Sequence, residues 1–422
     1  MNLKNDTLLK GYILIVLYSS VLRLILGRWA TIIADIFTII LLLHIAFNKG
    51  TFKFRIEKKV KKLMICVFIV QLIAIFEIFN SNIQNTLYAI IEYRKSYFQM
   101  LALIVSYCIY KQSTLTLNYI LKFIGLSSLP IVIYGIKQYF FWGPIDTRFV
   151  DMVDSGADTL RYGGHMRSVS IFSGPFHYGT FCVLIFAVML YLWQIEHKKI
   201  YLFYIAFCAY GCYCSITRTN LVCLIAAAIV WYLMYLKSDN SLNSTFKKVL
   251  SLFLILLLAL VLFLGLFDFT FKNNTLGSLL NSISHMGQDN RFNGRKLTWA
   301  TALKYIVQNP IVGYGVGAAG DTMASHNVAS ISINATHSMF YKLAMEVGII
   351  GTFIYAMVFA LSSFRIYHSY NYKKRTLFYV LSSCILLNGF VGSTISMFPI
   401  MPLYWIFTGI LLTQSEVSVK KI

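Results

Sequence analysis

The sequence predicts an all-α polytopic integral membrane protein, with about twelve transmembrane helices and a large extracytoplasmic loop between helices 9 and 10. Three observations carry this. The 422 residues are 58% hydrophobic and only 13% charged, whereas soluble domains carry about 25% charged residues. Mean hydropathy is +0.68. Apolar runs approaching the ~20 residues needed to cross a bilayer recur along the whole chain. So few charges cannot cover a water-facing surface of this size, and residues 1–422 read as a single membrane domain.

The runs fall at about 11–27, 29–47, 63–79, 96–112, 118–141, 173–193, 200–215, 219–236, 249–267, 337–361, 377–396 and 400–414. No internal repeat is evident. The first run follows Lys4 and Lys10 without a small-residue cleavage site, which argues against a cleavable signal peptide. The connection NKGTFKFRIEKKVKK (48–62) holds seven Lys/Arg against one Glu. EHKK (196–199), the surroundings of Lys237, Lys247 and Lys248, RIYHSYNYKKR (365–375) and the tail Lys420–Lys421 are also basic. Twelve spans put all of these on one face with both termini, and the excess of basic residues makes that face cytoplasmic. The same bias accounts for most of the formal net charge of +21. Nucleic acid is excluded as a partner because no basic soluble module is long enough to bind it. Cys66, Cys108, Cys182, Cys208, Cys212, Cys214, Cys223 and Cys384 all lie in apolar runs. They read as small core residues and not as a disulfide or zinc framework.

Two long loops then face outward, at about 142–172 and 268–336. Within the second, RKLTWATALKYIVQNP (295–310) places Trp299, Leu303, Ile306 and Val307 on one helical face, with Pro310 as the stop. It reads as a helix lying on the outer membrane surface. The outer side carries many basic residues where positive-inside bias disfavours them: Arg28, Arg94, Lys95, Arg148, Arg161, Arg167, Arg218, Arg291, Arg295 and Lys296. His165, His177, His285, His326 and His337 stand beside them. Asp146, Asp151, Asp154, Asp158, Asp289 and Asp321 share the loops, so part of this set is expected to pair as a solvated network. Arg94, in IIEYRKSYF, and Arg218, in CSITRTNLVCLI, sit at span ends, where an ionisable group is a functional candidate by default. A guanidinium there matches a lipid phosphate or pyrophosphate. Arg23 and Asp35 lie at similar depth in the first two spans and are expected to pair, and Lys342 and Glu346 stand four apart on one helix.

The stretch NATHSMFYKLAMEVGIIGTF opens the tenth span. Thr336 is expected to cap that helix, which puts His337 in its first turn, where the helix dipole disfavours imidazolium. A neutral imidazole there accepts a proton, as a general base must. Glu346, nine residues on, points to about the opposite face and is not its partner. Ala344, Gly348 and Gly351 allow close helix approach. Upstream, the glycines of NPIVGYGVGAAG (309–320) permit an anion nest, although no Gly-Lys-Ser/Thr follows to make a P-loop.

These residues resemble the O-antigen polymerase and ligase family of integral membrane glycosyltransferases. The similarity rests on His337-Ser338 followed after nine residues by Gly348 and Gly351, on Arg295 before the Trp299 helix, on NPIVGYGVG, and on SITRTNL at a helix junction. The span layout is also similar. One departure is Thr217-Arg218-Thr219-Asn220, where the family often shows Ser-Arg followed by small residues. The resemblance implies a bacterial cytoplasmic membrane enzyme without cofactor or metal. It implies transfer of a sugar from a polyprenyl-diphosphate-linked oligosaccharide donor to an acceptor hydroxyl, alongside a chain-length regulator and a flippase. It also implies His337 as base or acceptor-positioning group, with Arg94, Arg218 and Arg295 at the pyrophosphate and Arg291 as a substitute for Arg295. Polymerisation of repeat units into O-antigen, capsule or exopolysaccharide is the favoured activity. Ligation of finished chains to another acceptor is the alternative within the family. A lipid-linked oligosaccharide flippase is the alternative outside it, but a transporter would place its charges near the bilayer midplane.

Overall fold

In the computed structural model, the structure describes residues 2–47, 57–151, 160–162, 165–238, 290–369 and 371–413. The ninth expected span (249–267) and the first part of the large loop (268–289) lie outside the described residues, as do His285 and Asp289. The described chain is almost entirely helical. Helices α1 (Asn2–Tyr18), α2 (Ile32–Phe47), α3 (Lys58–Glu77), α4 (Thr86–Ser96), α5 (Leu101–Lys111) and α6 (Leu117–Phe140) come first. After α6, the short α7 (Pro144–Asp151) and a two-stranded hairpin of β1 (Arg161–Tyr162) and β2 (His165–Met166) fill the first loop. The hairpin is antiparallel, pairing Arg161 with Met166 and Tyr162 with His165. Then follow α8 (Pro175–Glu196), α9 (Ile200–Cys214), α10 (Arg218–Ser238), α11 (Asn290–Gln308), α12 (Asp321–His326), α13 (Met339–Tyr367), α14 (Tyr372–Val391) and α15 (Ile400–Leu412).

Among the described residues, α6, α8 and α13 are long and apolar enough to cross a membrane, and several shorter helices are equally apolar. The helices sort by burial. α8 is apolar on every side and almost wholly buried, packed against α6, α9, α10 and α14. An all-round apolar helix is the expected centre of such a bundle. α15 is likewise buried, against α5. The peripheral helices turn large apolar side chains outward, among them Ile36, Ile40, Phe68, Leu72, Phe76, Ile229, Leu233 and Phe353. An apolar belt of this extent is the signature of a lipid-facing surface. All eight cysteines are free thiols, as the sequence implies.

The structure adds detail at three local positions. The stretch before the fourth span is a separate helix, α4, joined to α5 by a 3-10 turn (Phe98–Met100), so Arg94 stands in the last turn of α4. Asp35 accepts from Arg94 Nη1 at 2.8 Å, which ties α4 to the start of α2; the expected Arg23–Asp35 pair lies outside the described residues, because the side chain of Arg23 does. Gly348 is a kink inside α13 and not simply part of a small-residue stripe.

That kink has a clear cause. Gly348 adopts φ 65° and ψ −178°, a region essentially reserved for glycine. The bend lets the 309–320 loop lie across the helix. Tyr314 N–H donates to Met345 C=O at 2.7 Å, and Ile349 N–H to Pro310 C=O at 2.8 Å. A Cβ on Gly348 would stand 2.0 Å from Ile311 O. Gly348→Ala is therefore expected to destabilise the protein through overpacking, worth about 1–3 kcal/mol, plus the unfavourable backbone. Thermal unfolding in detergent checks this; an unchanged midpoint would refute it.

Candidate functional site

The 309–320 loop was expected as an anion nest. Gly313, Gly315 and Gly317 all have positive φ, but the intervening amides serve the fold. Besides Tyr314 N–H, Val316 N–H donates to Glu77 C=O and Ala318 N–H to Gly315 C=O. These amides are thus turned inward, and the loop is a strap tying α3 to α13.

Beyond the strap, residues 80–85 and 326–330 are zipped together. Gln84 and Asn85 N–H donate to Val328 C=O, Ser330 N–H donates to Asn82 C=O, and the Tyr88 ring stacks on His326 at 4.0 Å. Beneath lies a buried charge network. Lys342 Nζ donates to Glu92 at 2.7 Å and to Glu346 at 2.6 Å, with all three side chains buried. Glu92 also accepts from Ser96 at 2.6 Å and from Thr322, and Glu346 accepts from Tyr97 Oη at 2.9 Å. The Lys342–Glu346 pair was legible from spacing. Glu92 was not, because nothing local links residues 92 and 342.

The network fixes α12 and the start of α13 around His337. Thr336, expected as the helix cap, instead uses both its N–H and its Oγ1 on Ala319 C=O, each at 3.1 Å. Its own C=O accepts from Trp299 Nε1 at 2.8 Å. Ser338 is the N-cap residue, and its Oγ donates to Gly389 C=O at 3.3 Å. His337 thus precedes the helix and is not in its first turn. It sits between two anchored neighbours with φ 47°, a left-handed conformation that costs a side-chain-bearing residue about 1–2 kcal/mol. Strain of this kind clusters at functional sites.

His337 is exposed, yet enough protein surrounds it to lower its pKa. Partial desolvation is the largest influence, the nearby Asp321 carboxylate opposes it, and the Arg295 guanidinium reinforces it. The net direction keeps the imidazole neutral at pH 7. Asp321 was named from sequence only as a loop acid; its approach to His337 comes from the fold.

Arg295 is half-buried on α11, one turn before Trp299, with Arg291 one turn earlier again. Trp299 and Arg295 stand four apart, on the row of the helix that meets residue 336. The buried face of α11 is Ala302 and Ile306 against Ala319 and Met345, while Leu303 and Val307 are exposed. The expected apolar face of Trp299, Leu303, Ile306 and Val307 is therefore split between protein and surroundings.

Arg218 opens α10 in a second basic group. Arg167 donates from Nε to Ser215 C=O at 3.4 Å and from Nη2 to Thr217 Oγ1 at 3.2 Å. This docks the first loop on the SITRT junction, beside Arg218. Asn220 Nδ2 donates to Phe176 C=O at 3.0 Å, Thr180 Oγ1 donates to Asn220 Oδ1 at 3.0 Å, and Asn388 Nδ2 donates to Thr180 at 3.1 Å. The end of α14 then meets Ser338 and Met339. A continuous polar seam thus joins the Arg218 and His337 groups. Arg94 is bonded to Asp35 and, at 3.1 Å, to Thr31. In the first loop the buried Asp146 accepts from Tyr134 and Lys137, each at 2.6 Å. Burial pushes its pKa up, but these bonds outweigh it and hold the carboxyl below its usual range.

The fold and site define an all-α membrane-type bundle with a strained neutral histidine, basic side chains and a polar seam at one end. Residues 202–356 match the family model described as O-antigen ligase. The match covers less than half of the chain and supports similarity of this stretch to the O-antigen polymerase and ligase family. No curated protein matches the chain. The matched stretch contains Arg218, Arg295, Asp321 and His337.

Proposed function

We propose that the protein is a glycosyltransferase of a bacterial cytoplasmic membrane, with both termini cytoplasmic, that polymerises polyprenyl-diphosphate-linked repeat units into a surface polysaccharide. The observation that carries this reading is His337, held in a left-handed conformation beside Arg295 and Asp321 within the family-matched stretch. The acceptor hydroxyl oxygen forms a bond to the anomeric carbon of the donor. The bond from that carbon to the diphosphate oxygen breaks, and the hydroxyl proton passes to the neutral imidazole of His337. The diphosphate departs on its lipid, and Arg295, with Arg291 one turn away and Arg218 across the seam, stabilises its negative charge. Asp321 orients and stabilises the imidazolium that forms. Arg94, already bonded to Asp35, braces α4 against α2 in this reading.

Deleting the protein and resolving the cell's polysaccharide on a gel tests the proposal. Collapse of the ladder to single repeat units supports polymerisation. Long chains that persist but no longer reach their final acceptor would support ligation instead. In the same assay Arg218→Lys is expected to stay impaired by tenfold or more, because a point charge does not reproduce a planar two-pronged donor. Full activity of that variant would remove Arg218 from the diphosphate site.

A further inference from the structure

The 323–334 segment and α11 line a cleft of about 240 Å3. At about 30 Å3 per water, this is the scale of a sugar ring and not of a whole repeat unit. Five polar side chains line it: Thr298 and Thr301 from α11, and Asn327, Ser332 and Asn334 from the facing segment. None carries a charge. Leu297, Met323 and Ile331 supply apolar surface between them.

The hydrogen-bonding capacity of this lining is specific. Thr298 Oγ1 donates to Gly294 C=O and Thr301 Oγ1 to Leu297 C=O, each at 3.0 Å. Both hydroxyl protons are thus used within the helix, and both oxygens keep lone pairs for an incoming donor. The side chains of Asn327, Ser332 and Asn334 bond no protein group among the described residues, so each amide offers two donors and an acceptor. The far wall is held in place because Tyr305 Oη accepts from Ser332 N–H at 3.3 Å. Mixed donors and acceptors around apolar patches, without charge, complement a polyhydroxylated ring and not a phosphate.

The position adds to this. Thr298 stands one turn after Arg295 on α11, and Asn334 lies three residues before His337, so the walls of the cleft are continuous in the chain with the two groups assigned to the reaction. We propose that this cleft is a subsite for one uncharged sugar ring of the glycan substrate, holding it next to His337. The inference rests on the glycosyltransferase reading above and specifies which part of the substrate lies where.

The test uses the full-length protein in detergent and two probes: the lipid-free single repeat unit released from the producing cell's polysaccharide, and inorganic pyrophosphate. Thr301→Leu fills the cleft, and Asn334→Ala removes one of its donor–acceptor groups. Each is expected to weaken oligosaccharide binding about tenfold while leaving pyrophosphate affinity within about twofold. Arg295→Ala is expected to do the reverse. Saturation-transfer NMR should place the closest contact on an uncharged ring. The subsite is overturned if both cleft variants bind the oligosaccharide normally, if they lose both probes together, or if the contact maps to an acidic ring. Binding of pyrophosphate without oligosaccharide by the unaltered protein would remove the subsite but leave the glycosyltransferase reading standing. Binding of neither probe would remove both.

Discussion

Lys342→Met is expected to be among the most destabilising single substitutions in this protein. Lys342 is fully buried and contacts Glu92 at 2.7 Å and Glu346 at 2.6 Å. Removing it leaves two buried carboxylates facing each other, with Ser96, Thr322 and Tyr97 as their remaining donors among the described residues. Breaking a buried ionic network by deleting one partner costs about 3–5 kcal/mol. Replacing all three groups by uncharged residues of similar shape, as in Glu92→Gln/Lys342→Met/Glu346→Gln, should recover much of that loss, because no unpaired charge then remains buried. The exposed Lys304→Met is a control expected to move stability by less than about 0.5 kcal/mol. Thermal unfolding and membrane abundance measure all three. A Lys342→Met protein that melts normally would show that the network contributes little. A triple variant no better than the single one would show that its cost comes from something other than unpaired charge.

The class of fold was legible because lipid leaves little choice. Low charge and repeated apolar runs predict buried and lipid-facing helices with few competing interpretations, and the structure agrees for the residues it describes. The Lys342–Glu346 pair was also legible, since four residues apart on a helix is a local relation. Glu92 was hidden because its partner lies 250 residues away. The Arg94–Asp35 bond was not legible, because 59 residues separate the two and only the fold brings α4 to α2. The glycines of 309–320 were read as amides free for an anion. Which carbonyls their neighbours meet depends on the kink at Gly348, which no periodicity announces. His337 and Arg295 were linked only through the resemblance, and the fold brings them within electrostatic reach of one another. Asp321 was not assigned to them, because a loop acid carries no periodic signal. The cap of α13 was misplaced by two residues for a similar reason: Thr336 is a good capping residue by type, but its bonds to Ala319 C=O hold it against the 309–320 loop, and Ser338 takes the cap position.

His337→Asn is expected to lower the rate of glycan transfer by about 10²–10⁴-fold, the usual contribution of a general base, with the protein folded and at normal abundance. Asn is a sharper choice than Ala because it tolerates the left-handed backbone at this position, so lost activity reports lost chemistry. The pH dependence gives a second reading. His337 has a lowered pKa, so in the folded protein its neutral form persists to a pH below the ordinary histidine value of about 6.5. As base it is active when unprotonated, so activity should be present at neutral pH and fall as the pH drops through that lowered value. Removing the Asp321 carboxylate takes away the influence that raises the pKa, so Asp321→Asn should move this acid limb to still lower pH. Removing the Arg295 guanidinium takes away one that lowers it, so Arg295→Ala should move the limb upward, together with a loss of rate. Transfer rates from a lipid-diphosphate-linked donor, measured in detergent between about pH 5 and 8, check all three. An intact rate in His337→Asn would make the histidine a strained bystander and send the search for the base to Asp321. An acid limb that stays fixed in both neighbouring variants would mean that the group titrating there is not His337.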